Sequence, residues 1–361
     1  MAAAPTVISQ DDLLGLRLAC QLITTDASGP RDVASTVRRM FATQSQDFAQ
    51  SVWGIGLRTP GAHRSDVLAA MASGSIVRSS SLRRTLMLVA AEDLRGILTL
   101  TAERTIAASR TRQRRLELDE ETMSRARTVV ETALAGRRAL PRDAVLRRLE
   151  NAGIRTDAQR GYHILWLLAE RGIVCWGPPS GTQQGLVLLE EWIAATRTVD
   201  REEQLRRCVV RYFAGHGPAT IADLAWWGSL TIADVRRGIA SAGDALCEVT
   251  ADGTDYWMTS DEHSRPPAVG TVALPGFDEY LLGYSDRSAA LTPEYVERVV
   301  PGSNGIFRPT IVAAGRVIGT WRRTLLKGLW QMTPEPFEGL TRDQARAFEA
   351  SAQAYREFTS G

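Results

Sequence analysis

Lysine is nearly missing from this chain. Of its 43 cationic residues only Lys327 is not an arginine, so Schiff-base chemistry has a single side-chain amine to draw on. Cysteine and histidine are also sparse, with four of each. They lie far apart, at Cys20, Cys175, Cys208 and Cys247 and at His63, His163, His216 and His263. There is no CxxC pair, no Cys/His cluster and no HExxH helix, which argues against structural zinc, a redox dithiol or a zinc hydrolase. No nucleophile elbow marks a serine hydrolase. We therefore expect no metal and no cofactor. No apolar run reaches 18 residues, which speaks against a membrane-spanning helix. The opening Met1-Ala-Ala-Ala-Pro5 lacks the basic and apolar parts of a signal peptide, and a cytoplasmic location is expected. Excess charge is missing too: the net charge is +2.

What remains is an ordinary globular composition, 44% hydrophobic and 23% charged, rich in arginine. Arginine's planar fork suits phosphates and base edges, although a GC-rich genome would also enrich it. The clearest pattern runs over residues 119–198. Ala126, Val129, Val130, Ala133 and Leu134 repeat at helical spacing, with a stop at Gly136. A second helix opens at Pro141, and a third, capped by Thr156 or Asp157, carries Ile164, Leu165 and Leu168. A turn-rich segment between two apolar runs then reads as a hairpin. Three helices and a hairpin make a winged helix, with Arg160 and His163 off the apolar face of its third helix. Residues 199–264 repeat the order. Thr220-x-x-Asp223 and Thr231-x-x-Asp234 mark two helix starts, and Asp252-Gly253 marks the turn of a second wing. Residues 1–118 read as a third, less regular copy, whose wing covers 76–89. Residues 265–361 turn β-rich, with strands expected over 269–274, 307–312, 317–321 and 329–332 and a closing helix over 341–358. The expected fold is α+β, mainly α: three tandem winged-helix units in a concave arrangement and a C-terminal partial barrel.

Within the first unit lies Ala42-Thr43-Gln44-Ser45-Gln46-Asp47. Glutamines flanking one residue of an extended segment project the same way, and their amides can hold one water between them. Asp47 with Gln50 forms a further capping-box signal; its other reading is a general base. Three longer segments accompany this tract: Arg83-Arg84-Thr85-Leu86-Met87-Leu88-Val89 with Asp93-Leu94, the run from Pro275-Gly-Phe-Asp-Glu-Tyr to Ser285-Asp286-Arg287, and Asn304-Gly305-Ile306-Phe307-Arg308-Pro309-Thr310 leading to Gly319-Thr320-Trp321-Arg322-Arg323. Together they resemble the winged-helix DNA glycosylases of the AlkZ and YcaQ type, over most of the chain. That resemblance implies excision of N7-alkylated purines, including bulky natural-product adducts and some interstrand crosslinks in a self-resistance type of repair. It maps the catalytic pair onto Gln44 and Gln46. Asp47, next in the chain, is a supporting candidate from the local reading alone. Two departures stand out. The family usually has an apolar residue where this chain has Ser45, and more often Arg-Gly where it has Arg83-Arg84.

An N7-alkylguanine already carries positive charge, so its base leaves without a strong acid. The remaining work is to place a water and to stabilise an oxocarbenium-like sugar, which oriented amide dipoles can do. With Lys327 as the only lysine, a monofunctional, metal-independent glycosylase is expected, acting as a monomer on double-stranded DNA. Candidate DNA contacts are Arg38, Arg39, Arg83, Arg84, Arg160, Arg322 and Arg323, together with the hairpin tip Gly181, Thr182 and Gln183. The alternative is a non-catalytic tandem winged-helix regulator of transcription.

Overall fold

The computed structural model describes residues 6–23, 32–180, 183–194, 199–261 and 270–360. The fold is α+β with helix predominant. No helix among the described residues is long and apolar enough to cross a membrane. The chain forms two compact units, one from Met1–Val67 with Leu205–Gly361 and the other from Leu68–Gln204.

In the second unit the winged-helix order is complete: helix Glu120–Leu134, short strand Leu140–Pro141, helices Arg142–Asn151 and Arg160–Glu170, then strands Val174–Ser180 and Gln183–Leu188. Met123, Ala126, Val130, Val145, Leu149, Ile164, Leu165 and Leu168 bury together against Val174 and Leu186. Ala126, Val130, Ile164, Leu165 and Leu168 are among the positions that the helical spacing singles out. The third helix starts later than expected. Thr156 and Asp157 lie in the preceding turn, and the N-cap is Gln159, at φ +72° and without a side-chain cap bond. The expected first wing is also more than an isolated hairpin. Strands Ile76–Leu82 and Thr85–Ala90 pair with each other, and Arg78 registers opposite Trp176. Within this unit both hairpins therefore belong to one sheet.

The first unit holds another winged helix: helices Arg201–His216, Ile221–Gly228 and Ile232–Ala242, then strands Leu246–Ala251 and Thr254–Thr259. Thr220 and Asp223 form a reciprocal capping box, and Thr231 caps the next helix by accepting from the Asp234 N–H. Asp252 and Gly253 both take positive φ, as a tight hairpin turn requires. The same unit carries helix Val33–Met40, strand Ala42–Gln44 and helix Phe48–Leu57.

The C-terminal strands run antiparallel in sequence order: Thr271–Leu274, Thr310–Ala313, Arg316–Leu326 and Leu329–Pro336. They form a curled half-barrel, with helix Arg342–Ser360 packed on it. Leu274, Val312 and Val317 meet Leu13, Leu14, Leu18 and Tyr280 in the core. Two strands outrun their expected ends. Arg316–Leu326 and Leu329–Pro336 extend as a hairpin whose tip leaves Leu325, Leu326 and Leu329 about half exposed or more.

Candidate active site

Helix Val33–Met40 ends at Phe41, whose φ of +62° turns the chain into strand Ala42–Gln44. Gln44 closes that strand at 8% exposure, Ser45 is fully buried and Gln46 is exposed. The two glutamines therefore sit in different surroundings, one in the protein and one at its surface. Ser45 does not leave a polar gap in the core. Its hydroxyl lies 2.7 Å from that of Ser51, which donates to the Phe48 carbonyl at 2.9 Å. The buried Ser45 hydroxyl is thus satisfied by a second hydroxyl opposite it.

Asp47 is the N-cap of helix Phe48–Leu57; its Oδ1 accepts from the Gln50 N–H at 3.1 Å. Its carboxylate also lies 3.8 Å from the Arg323 guanidinium. The return arm of the expected capping box is diverted. Gln50, 5% exposed, accepts instead from the Gly276 N–H at 3.0 Å. That bond ties the glutamine tract to the Pro275–Glu279 segment, 226 residues away in sequence.

This segment supplies the residues that sequence reasoning did not assign. Glu279, 2% exposed, accepts the Gln44 N–H at 2.7 Å through Oε1. Its Oε2 accepts from the Trp227 indole at 2.9 Å and lies 3.4 Å from His216 Nε2. Asp278 takes both terminal nitrogens of Arg58, at 2.8 and 2.9 Å. Arg58 donates further to Gln21 and Gly54, and Gln21 donates to Tyr284. A small cavity of about 10 Å³ is lined by Gln44, Gln50, Ser51, Arg58, Asp278 and Glu279. This is about the space one water requires. The long matched run around Pro275 was the available signal. Its acidic pair gave no local clue that it would fold onto the glutamines.

The family model for the DNA glycosylase AlkZ-like proteins matches residues 37–358, which takes in the glutamine tract, both winged helices and the C-terminal sheet. The chain belongs to the AlkZ-like DNA glycosylase family. A curated relative from Streptomyces sahachiroi, an interstrand DNA cross-link repair glycosylase, is 27% identical over 312 residues, covering 80% of this chain and 81% of the relative. The solved Streptomyces sahachiroi DNA glycosylase AlkZ superposes with a TM-score of 0.82 over 98% of each chain, at 23% identity, and so shares the fold.

In this AlkZ-like chain the candidate DNA-contacting arginines fall into four situations. Arg38 and Arg39 are half-buried in the last turn of their helix, where cations complement the helix dipole. Arg39 donates to the Cys20 carbonyl at 3.4 Å. Arg83 and Arg84 form the hairpin turn at φ +49° and +58°, a left-handed geometry that glycine adopts more cheaply; Arg84 is exposed. Arg322 is exposed beside Glu335 at 3.2 Å, while Arg323 donates to the Tyr355 hydroxyl at 2.8 Å. Arg160 differs from the expectation. It is 7% exposed, and its guanidinium donates to the Leu116, Glu117 and Arg155 carbonyls, so it ties down backbone rather than facing solvent. His163, on the same helix, accepts from Arg112 at 3.3 Å, and burial followed by that positive neighbour lowers its pKa. Of the hairpin tip, Gly181, Thr182 and the Gln183 side chain lie outside the described residues.

Proposed function

We propose that this AlkZ-like glycosylase hydrolyses the N-glycosidic bond of N7-alkylated purines in duplex DNA, and that bulky adducts and interstrand crosslinks are among its substrates. The observation that carries this reading is the anchoring of the glutamine tract. The buried Glu279 holds the Gln44 backbone, and Gln50 holds Gly276, beside a cavity of about one water. The name of the curated relative supports crosslinked DNA as a substrate class.

In the proposed reaction the cationic purine leaves with the electron pair of the C1′–N bond and becomes neutral. The oxocarbenium-like sugar is captured at C1′ by a water, which then gives up its proton to solvent. Gln44 and Gln46 orient that water and turn carbonyl dipoles toward the sugar's positive charge. Glu279 acts at one remove, as a positioning residue for Gln44. Asp47 supports the tract as a helix cap and as the partner of Arg323, rather than as a general base. No amine is needed, and the product is an intact strand with an abasic site.

The test is incubation of the protein with duplex DNA carrying a single N7-methylguanine or a bulky N7-guanine adduct. The expected products are the free modified base and an alkali-labile site without a nick, with nothing trapped by borohydride. A borohydride-trapped protein–DNA adduct would refute the monofunctional mechanism. Tight binding to both substrates without base release would favour the regulator reading.

A further inference from the structure

The second compact unit contains a cavity of about 320 Å³ that the glutamine chemistry does not use. Its lining combines Arg78, Arg84 and Arg142 with Tyr162, Trp166 and Trp176, and no carboxylate is among the described lining residues. Buried Ser80, Leu165 and Gln184 also line it. Arg78 is already oriented, donating to the Gln184 amide oxygen at 2.5 Å. A second cavity of about 340 Å³ shares Arg84, Tyr162 and Trp166 with it and adds Arg112 and Arg115. The volumes fall in the range of small-molecule sites, and the first is mainly aromatic and apolar with convergent cations.

Cations and π-faces in one pocket call for a ligand with a flat ring at one end and negative charge at the other. A groove-reading helix would present polar side chains outward to base edges. Here helix Arg160–Glu170 instead lends Tyr162, 52% exposed, and buried Trp166 to a concavity. The carboxylate nearest in the bonding pattern is Glu170, which accepts from the Ser80 hydroxyl at 2.9 Å. Burial raises its pKa to about 7, so it adds little negative charge below that pH. His163, in the adjoining cavity, has a lowered pKa.

We infer that this cavity binds one unstacked nucleotide, its base against Tyr162, Trp166 and Trp176 and its phosphate against Arg84 and Arg142. The nucleotide is either a free mononucleotide or a single residue displaced from a DNA strand. The site is independent of the excision chemistry and stands whether or not the glutamine tract is catalytic.

The full-length protein is titrated with dGMP, with inorganic phosphate, and with two undamaged duplexes, one fully paired and one carrying a single bulged nucleotide. Tryptophan fluorescence and competition report binding. Tyr162→Ala and Arg84→Ser with Arg142→Ser are the test variants, because all three side chains are exposed. Each is checked for an unchanged thermal transition. Loss of one stacking or phosphate partner is expected to weaken nucleotide binding about tenfold. Saturable dGMP binding lost in the variants identifies a free-nucleotide site. A preference for the bulged duplex that the variants abolish identifies a strand-borne nucleotide. Binding unchanged in both variants overturns the inference, as does competition by phosphate equal to that by dGMP, or the absence of both dGMP binding and a bulge preference. Gln44→Ala is expected to bind like the wild type, which keeps this outcome separate from any failure of the glycosylase reading.

Discussion

Arg58 and Asp278 meet through two hydrogen bonds of 2.8 and 2.9 Å while both side chains are at most 5% exposed. Removing one partner strands the other charge in a largely buried site. Arg58→Ala is therefore expected to lower stability by about 3–5 kcal/mol, measured by denaturant unfolding; a loss below about 1 kcal/mol would show that the pair is not structural. Glu170 offers a pH test. Burial raises its carboxyl to about 7, so the native state holds that proton more tightly than the unfolded chain does. Stability from this residue is complete below pH about 4.5, declines as pH rises and is gone above about 7, a change of about 3 kcal/mol at most. Glu170→Gln should flatten that decline in unfolding free energies measured from pH 4.5 to 8, and parallel curves would contradict it. At this scale the sequence made the polar types visible but not their partners. Asp47 was recognisable as a cap because its partner is three residues away. Gln50, Arg58 and Glu279 were not, because each finds its partner more than 200 residues along the chain or on another segment. Arg160 looked like a solvent-facing residue because helical periodicity says which face is apolar, not whether a loop covers the other one.

Among the elements, helices with caps and apolar stripes were readable in advance, and so was the hairpin with the Asp252-Gly253 turn, both of whose residues adopt positive φ. The strands Arg316–Leu326 and Leu329–Pro336 were under-read, since their outer halves bury little and carry no alternation. Their tip is the more informative for that. Leu325, Leu326 and Leu329 are 53%, 49% and 63% exposed around the turn at Lys327-Gly328, near Arg322. Apolar side chains held out beside cations suit insertion between base steps. Replacing Leu325 and Leu326 together by serine is expected to leave unfolding within about 0.5 kcal/mol of the parent, since neither is buried. Affinity for adduct-bearing duplex should fall several-fold in an equilibrium binding assay. Unchanged affinity would remove the hairpin from the DNA contact.

For the molecule as a whole, the chain clusters into two units, Met1–Val67 with Leu205–Gly361 and Leu68–Gln204, whose bounds do not follow the linear order. The N-terminal segment joins the segment from Leu205 onward, because Gln50, Gln44, Arg58 and Gln21 bond to the Pro275–Tyr284 stretch. No local pattern encodes such closure; only the matched motifs, lying far apart in sequence, hinted at it. The glutamine tract thus depends on a distant acidic segment for its backbone position, and the proposed excision rests on this tract. Single-turnover release of N7-methylguanine from duplex DNA, compared among wild type, Gln44→Ala and Gln46→Ala with DNA affinity measured alongside, tests it most directly. Rates in both variants are expected to fall by about 10²-fold or more with affinity retained, the scale of losing one preorganised dipole. Wild-type rates in both variants would contradict it.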